Sequence, residues 1–188
     1  MDPKPTGIRL KSSTFRSYVN VLVDDGKAQA VMALVPPETA AVMSNPPLAS
    51  SWVDFRHIVH LTEAVHRLGG MAGVRELTRK ATAQARKPHM RLVEGVLKLF
   101  GTSPATLLKR MNDFVRTTIE GLEYRYTPNG ERAGIMEMVY SLDYEVPTSV
   151  FVGAAPALQT ILDACGVKGI IGEPERLGPN RVRFTIQW

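Results

Sequence analysis

VPTSVFVGAAPALQTILDACGVKGIIGEPERLGPNRVRFTIQW, residues 146–188, changes its period partway along and so encodes two kinds of structure. Its first half sets Val150, Phe151, Ala154, Leu158, Ile161 and Leu162 at helical spacing after Pro147, and Gly166 supplies the C-terminal cap. Its second half makes two strands around a turn rich in Gly and Pro. There Val182, Phe184, Ile186 and Trp188 alternate as the core-facing residues of the final strand. Upstream, LEYRYT and GIMEMVYSLDY flank Pro128-Asn129-Gly130, a hairpin signal because an Asn-Gly turn twists in the same sense as its strands. Residues 122–188 therefore read as hairpin, helix, hairpin.

The preceding stretch reads as helix. Phe15, Tyr18, Val19, Leu22 and Val23 share one face, with Ser13 or Thr14 as cap and Asp24-Asp25-Gly26 as terminator. A short helix over residues 28–35 stops at Pro36-Pro37, because proline lacks an amide and disfavours α geometry in the residue before it. PPETAAVMSNPPLASS reads as connector. From a cap at Ser50 or Ser51, Trp52, Phe55, Ile58, Val59, Leu61, Thr62, Val65 and Leu68 form an apolar stripe that ends at Gly69-Gly70. Another helix runs from Met71 toward Gly101, restarted or kinked at Pro88. Ser103-Pro104 then opens one more, reaching Ile119. The fold class expected is α+β, with N-terminal helices packed on a C-terminal antiparallel sheet. Residues 13–188 form a single domain, and residues 1–12 read as a loose arm or a short edge strand.

The net charge of +5 is unevenly spread. From Arg67 to Arg116 there are eleven Lys/Arg against Glu76, Glu94 and Asp113, whereas residues 117–175 hold nine Asp/Glu against Arg125, Arg132 and Lys168. A basic segment beside an acidic one steers an acidic partner, or else neutralises its neighbour within one protomer or across a dimer. With Cys165 the only cysteine, an intrachain disulfide and a multi-cysteine zinc site are excluded, and a reducing, cytoplasmic setting is expected. No apolar run approaches the ~20 residues of a membrane span, and the first residues lead into no signal-peptide core.

TFRSYVNVL, SWVDFRHIVHLTEAVHRLGG, FGTSPATLLKRMNDF and the segment 146–188 resemble a group of bacterial paralogues best known from myxobacteria. Through them the chain is similar to the superfamily of vinyl-4-reductase type domains, haem nitric-oxide-binding domains and Golgi transport-complex subunits. The resemblance implies helices on an antiparallel sheet, frequent dimerisation and, in some members, a hydrophobic ligand cavity. Haem nitric-oxide sensors use a Tyr-x-Ser-x-Arg motif and a proximal histidine. Neither arrangement can be matched in this sequence, so no haem and no other cofactor is expected.

Candidate sites remain open at this level. His57, His60, Glu63 and His66 recur every three residues, but at 100° per residue His57 and His66 end about 180° apart, so the four cannot share one metal. Two ligands from this set would need two more from elsewhere, and no metal is expected. No nucleophile elbow, P-loop or dinucleotide fingerprint occurs, and no catalytic residue is assigned. Trp52, Phe55, Val59, Phe114 and Phe151 are candidates for lining a ligand pocket, or else they simply fill the core. Arg75, Arg79 and Arg86 fall on roughly one face as a basic interaction surface, but without interleaved aromatics, so nucleic acid is not the expected partner. The function expected is a non-enzymatic regulatory or sensory domain, homodimeric, binding a small hydrophobic ligand or a protein. The alternative is an electrostatic adaptor acting through residues 67–116.

Overall fold

The computed structural model describes residues 7–100 and 103–188, with side chains described outside 86–100 and Phe114. The order is β1 (Arg9–Lys11), α1 (Ser12–Asp24), α2 (Ala28–Met32), α3 (Pro37–Ser44), β2 (Trp52–Asp54) and α4 (Arg56–Phe100). There follow α5 (Pro104–Lys109), α6 (Met111–Val115), β3 (Ile119–Glu120), β4 (Leu122–Pro128), β5 (Ala133–Tyr140), α7 (Thr148–Ala164), β6 (Ile170–Ile171), β7 (Glu175–Gly178) and β8 (Arg181–Gln187). This is the expected α+β arrangement.

The C-terminal half forms a five-stranded antiparallel sheet in the order β4-β5-β8-β6, with β7 also pairing β8. The alternation read from the sequence sets the register. Met136 sits opposite Phe184 and Met138 opposite Val182, all facing inward, while Glu137 lies opposite Arg183 on the outer face. Val182, Phe184 and Ile186 are each 0% exposed. On the outer face the Glu137 carboxylate accepts from Arg181 Nη2 at 2.8 Å and Arg183 Nη2 at 3.0 Å, and these guanidiniums, Arg181 first, hold its pKa below the usual carboxylate range.

α7 lies against the inner face of this sheet and packs on α4, the most extensive helix–helix contact among the described residues. Its Phe151 ring lies 5.6 Å from Tyr140, which lies 5.9 Å from Phe55, so an aromatic column runs from α7 through the sheet to the start of α4. Such tilted pairs contribute about 0.5–1.5 kcal/mol each beyond burial. On the α4 side, Gly153 brings the two backbones close. A Cβ added there would stand 3.1 Å from Thr78 Oγ1 and 3.4 Å from Val74 Cγ1.

Several local expectations are corrected. Trp52–Asp54 is a strand rather than a helix start, paired with β1, and the first amide of α4, that of Arg56, donates to Asp54 Oδ1 at 2.7 Å rather than to Ser50 or Ser51. Apolar residues at 52 and 55 satisfy a helical face, but Trp52 and Val53 also lie on a strand, and tertiary pairing decides. β1 is the middle of a second sheet, β2-β1-β3, not an edge strand, with Ile8 and Leu10 buried. The helix expected to reach Ile119 divides into α5 and α6, and Ile119 pairs with Leu10 in β3. Part of the supposed connector is α3, because a proline at the first helical position starts a helix as readily as it ends one. Neither Ser13 nor Thr14 caps α1. The Ser12 and Ser13 amides donate instead to the carbonyls of Ser51 and Ala49. Val23, placed on the apolar face, is 59% exposed.

Two breaks fall where the residues place them. Gly70, at φ 62° and ψ −166°, interrupts α4, and Ser103 caps α5 by accepting from the Thr106 amide. The contact at Gly153 has a measurable consequence. Gly153→Leu is expected to lower unfolding free energy by about 1–3 kcal/mol through overpacking, whereas Gly69→Ala, with open space around it, costs nothing. Urea unfolding of both variants checks this, and equal midpoints would remove the close approach from the argument.

Candidate functional site

The first turns of α4, from Arg56 to Arg67, present His57, His60, Glu63 and Arg67, and α3 packs beside the helix. Thr39 of α3, fully buried, is the pivot. Its Oγ1 lies 2.9 Å from His57 Nδ1 and 2.8 Å from His60 Nδ1. A hydroxyl has one proton to give and two lone pairs to accept with, so at most one Nδ1 accepts from Thr39 and, with both rings neutral, at least one Nδ1–H donates to it. The i, i+3 spacing brings the rings together, as expected, but it is a threonine that they meet. Among the described residues no three of His, Cys, Asp and Glu gather as a metal-ligand set.

One turn further, Glu63 accepts a short hydrogen bond from Ser149 Oγ in the first turn of α7. Ser149 is 1% exposed, so the hydroxyl anchors Glu63 and is screened from any substrate. His60, Glu63, Ala64 and Arg67 form one wall of a cleft of about 400 Å³, and Ala33, Leu34, Val35 and Pro36, between α2 and α3, form the other. Sequence reasoning did not find this site. Thr39 lay in a stretch read as connector and Ser149 was read only as helix, and only the tertiary fold brings either to α4.

The candidate pocket residues lie elsewhere. Phe55, Val59 and Phe151 are buried in the core around the aromatic column, and none of them borders the cleft. Trp52 sits half-exposed on β2 beneath Lys11 Nζ, 3.8 Å from the ring centre. Phe114 lies outside the described side chains. Of the basic residues, Arg75 is paired with Glu173 at 2.5 Å and Arg79 with Glu76 at 2.7 Å, and Arg86 lies outside the described side chains. The pair with Glu173 joins the basic segment to the acidic one within a single chain. Exposed pairs of this kind contribute ~0–1 kcal/mol. Cys165 is a free, half-buried thiol whose pKa is pushed up by burial.

Arg176 was also missed. Its guanidinium stacks 4.7 Å from the Phe151 ring centre while donating 2.6 Å bonds to Val146 O and Glu145 Oε1, which fastens β7 to the start of α7. Its signal in the sequence is no stronger than that of any surface arginine.

Burial, foremost, lowers the pKa of both His57 and His60 below the ordinary 6.5, with Arg56 acting in the same direction on both and Glu38 and Asp54 opposing. The folded chain thus takes up these protons less readily than the unfolded one. The fold keeps its full stability above pH 6.5 and loses some as pH falls through 6.5 toward the folded values. The thermal midpoint is expected to drop between about pH 7.5 and about pH 5.5, and to drop less in a His57→Gln/His60→Gln chain. An identical drop in both would show that the acid sensitivity lies elsewhere.

No family model matches the sequence, and neither does any curated protein. Solved structures do. An H-NOX (haem-NO-binding) protein from K. algicida, in its Fe(II) unliganded form, superposes with a TM-score of 0.68 at 10% identity, covering 95% of this chain and 96% of that one. A point mutant of that protein, also Fe(II) unliganded, gives 0.69 at 11% identity with the same coverage. An oxygen-binding H-NOX domain related to soluble guanylate cyclases, in its oxygen complex, gives 0.59 at 11% identity over 95% and 94% of the two chains. Across almost its whole length, the chain has the fold of the H-NOX domains.

Proposed function

We propose that this chain is a non-enzymatic regulatory or sensory domain that keeps the H-NOX fold, works without haem, and responds to a small ligand or a protein partner. The observation that carries the reading is the packing between α4, α7 and the sheet among the described residues, where Phe55, Tyr140 and Phe151 form a continuous column and Met136 and Phe184 are buried on the sheet face.

The fold implies haem, but the described residues do not fit one. His57 and His60 are bound to Thr39 on the face of α4 that carries the cleft, His66 is the remaining described histidine, and His89 lies outside the described side chains. The Tyr-x-Ser-x-Arg motif of the haem sensors does not occur anywhere in the chain. Burying each large side chain of the column contributes roughly 1.5–3 kcal/mol, and a planar prosthetic group would have to displace them.

The non-enzymatic part of the reading is supported by the site chemistry. The Ser–carboxylate pair beside the cleft, Ser149 with Glu63, is sealed from solvent at its hydroxyl, and a nucleophile must reach its substrate. Homodimerisation is carried over from the superfamily resemblance, and the cytoplasm is the setting that suits a lone free thiol. None of the described helices is long and apolar enough to cross a membrane.

Two measurements test the proposal. Titration with haemin, followed by absorbance, is expected to produce no saturable Soret band at one equivalent. A histidine-ligated spectrum at that stoichiometry would overturn the haem-free reading. Light scattering on a sizing column is expected to return twice the 20.7 kDa chain mass, and a monomer at every concentration would remove the dimer.

A further inference from the structure

We propose that the cleft between residues 33–36 and the outer face of α4 binds a small amphipathic carboxylate, with Arg67 taking the acid group and Leu34, Val35 and Pro36 taking the apolar body. The proposal rests on the haem-free regulatory reading and names its ligand class.

The argument begins with an ion pair that does not form. Glu63 and Arg67 stand at i, i+4 with the acid first, the favourable order for pairing along a helix. Yet the Glu63 carboxylate turns to Ser149 of α7, and Arg67 has no partner among the described residues. An arginine is left at the wall of a cleft whose facing wall is apolar, and Leu34 on that wall is 39% exposed. A guanidinium is a planar fork suited to a carboxylate, and its weak hydration suits a site flanked by hydrocarbon.

The rest of the cleft narrows the ligand. Its volume of about 400 Å³ falls within the usual range for small-molecule sites, about 300–1,000 Å³. Ala64, four residues after His60 and three before Arg67, keeps the floor low. His60 also lines the cleft, and because its Nδ1 is committed to Thr39, Nε2 is the ring nitrogen left for a ligand. A neutral imidazole there can give or accept one hydrogen bond but adds no charge. Arg67 attracts an anion while the Glu63 carboxylate on the same wall opposes each negative charge the ligand brings, so a monoanion is favoured over a dianion such as a phosphate monoester. A cationic amphiphile is repelled by Arg67.

The test uses the full chain and octanoate as probe, followed by amide shifts in nitrogen–proton correlation spectra. Saturable shifts are expected at residues 33–36 and 60–67, with 1-octanol at least roughly tenfold weaker and octylamine without effect at these amides. Arg67→Gln, an exposed substitution that leaves the core untouched, is expected to weaken octanoate at least roughly tenfold. Leu34→Asp should abolish the shifts. Scattered non-saturating shifts, or equal affinity for octanoate in the Arg67→Gln chain, would overturn the proposal while leaving a haem-free dimer standing. Haem uptake in the titration above would reject the underlying reading whatever octanoate does.

Discussion

The seating of α7 between α4 and the five-stranded sheet governs the rest of the structure. A helix enclosed on two sides must be apolar around most of its circumference, and Val150, Phe151, Val152, Ala155, Leu158 and Leu162 are all buried. It must also approach one neighbour closely, which Gly153 permits against Val74 and Thr78. Once that approach is made, Phe151 has one place to go, onto Tyr140, and Tyr140 meets Phe55 at the start of α4. The contact that holds the layers together is therefore also the one that builds the aromatic column among the described residues.

Legibility from sequence follows the range of the interactions. The β4–β5 hairpin, α7 with its Gly166 cap, the alternation of β8 and the break at Gly70 were all readable, because each depends on residues within a few positions of one another. The failures depend on distant partners. Trp52–Asp54 is a strand only because β1, more than forty positions away, lies alongside it. α1 takes its cap from the carbonyls of Ala49 and Ser51, which no local pattern encodes. The helix expected over residues 28–35 ends at Met32, short of the prolines read as its stop, and Pro36 and Pro37 start α3 instead.

The electrical polarity of the chain is a case where the plainer of two readings gains ground. Arg75 meets Glu173 and Lys80 meets Asp25, so the basic helix borrows acid groups from the connection between β6 and β7 and from the residue that follows α1. Arg79 is spent on its neighbour Glu76. With Arg75, Arg79 and Lys80 already paired, their face offers an external polyanion less than the residue count suggests, since each new contact must first break an old one.

The two faces of α4 thus divide the labour. Phe55, just before the helix, and Val59 within it belong to the sealed core, whereas His60, Glu63 and Arg67 look onto a cleft. What joins the faces is the hydrogen bond from Ser149 to Glu63, because Ser149 stands two residues before Phe151 in the first turn of α7. A ligand that draws on Arg67 changes the field at Glu63, and Glu63 is tied to the helix on which the aromatic column depends. Coupling of this kind needs a difference in binding free energy between two arrangements of α7, not an open chamber. Packed layers transmit a displacement at α7 to the sheet because they lack the slack to absorb it.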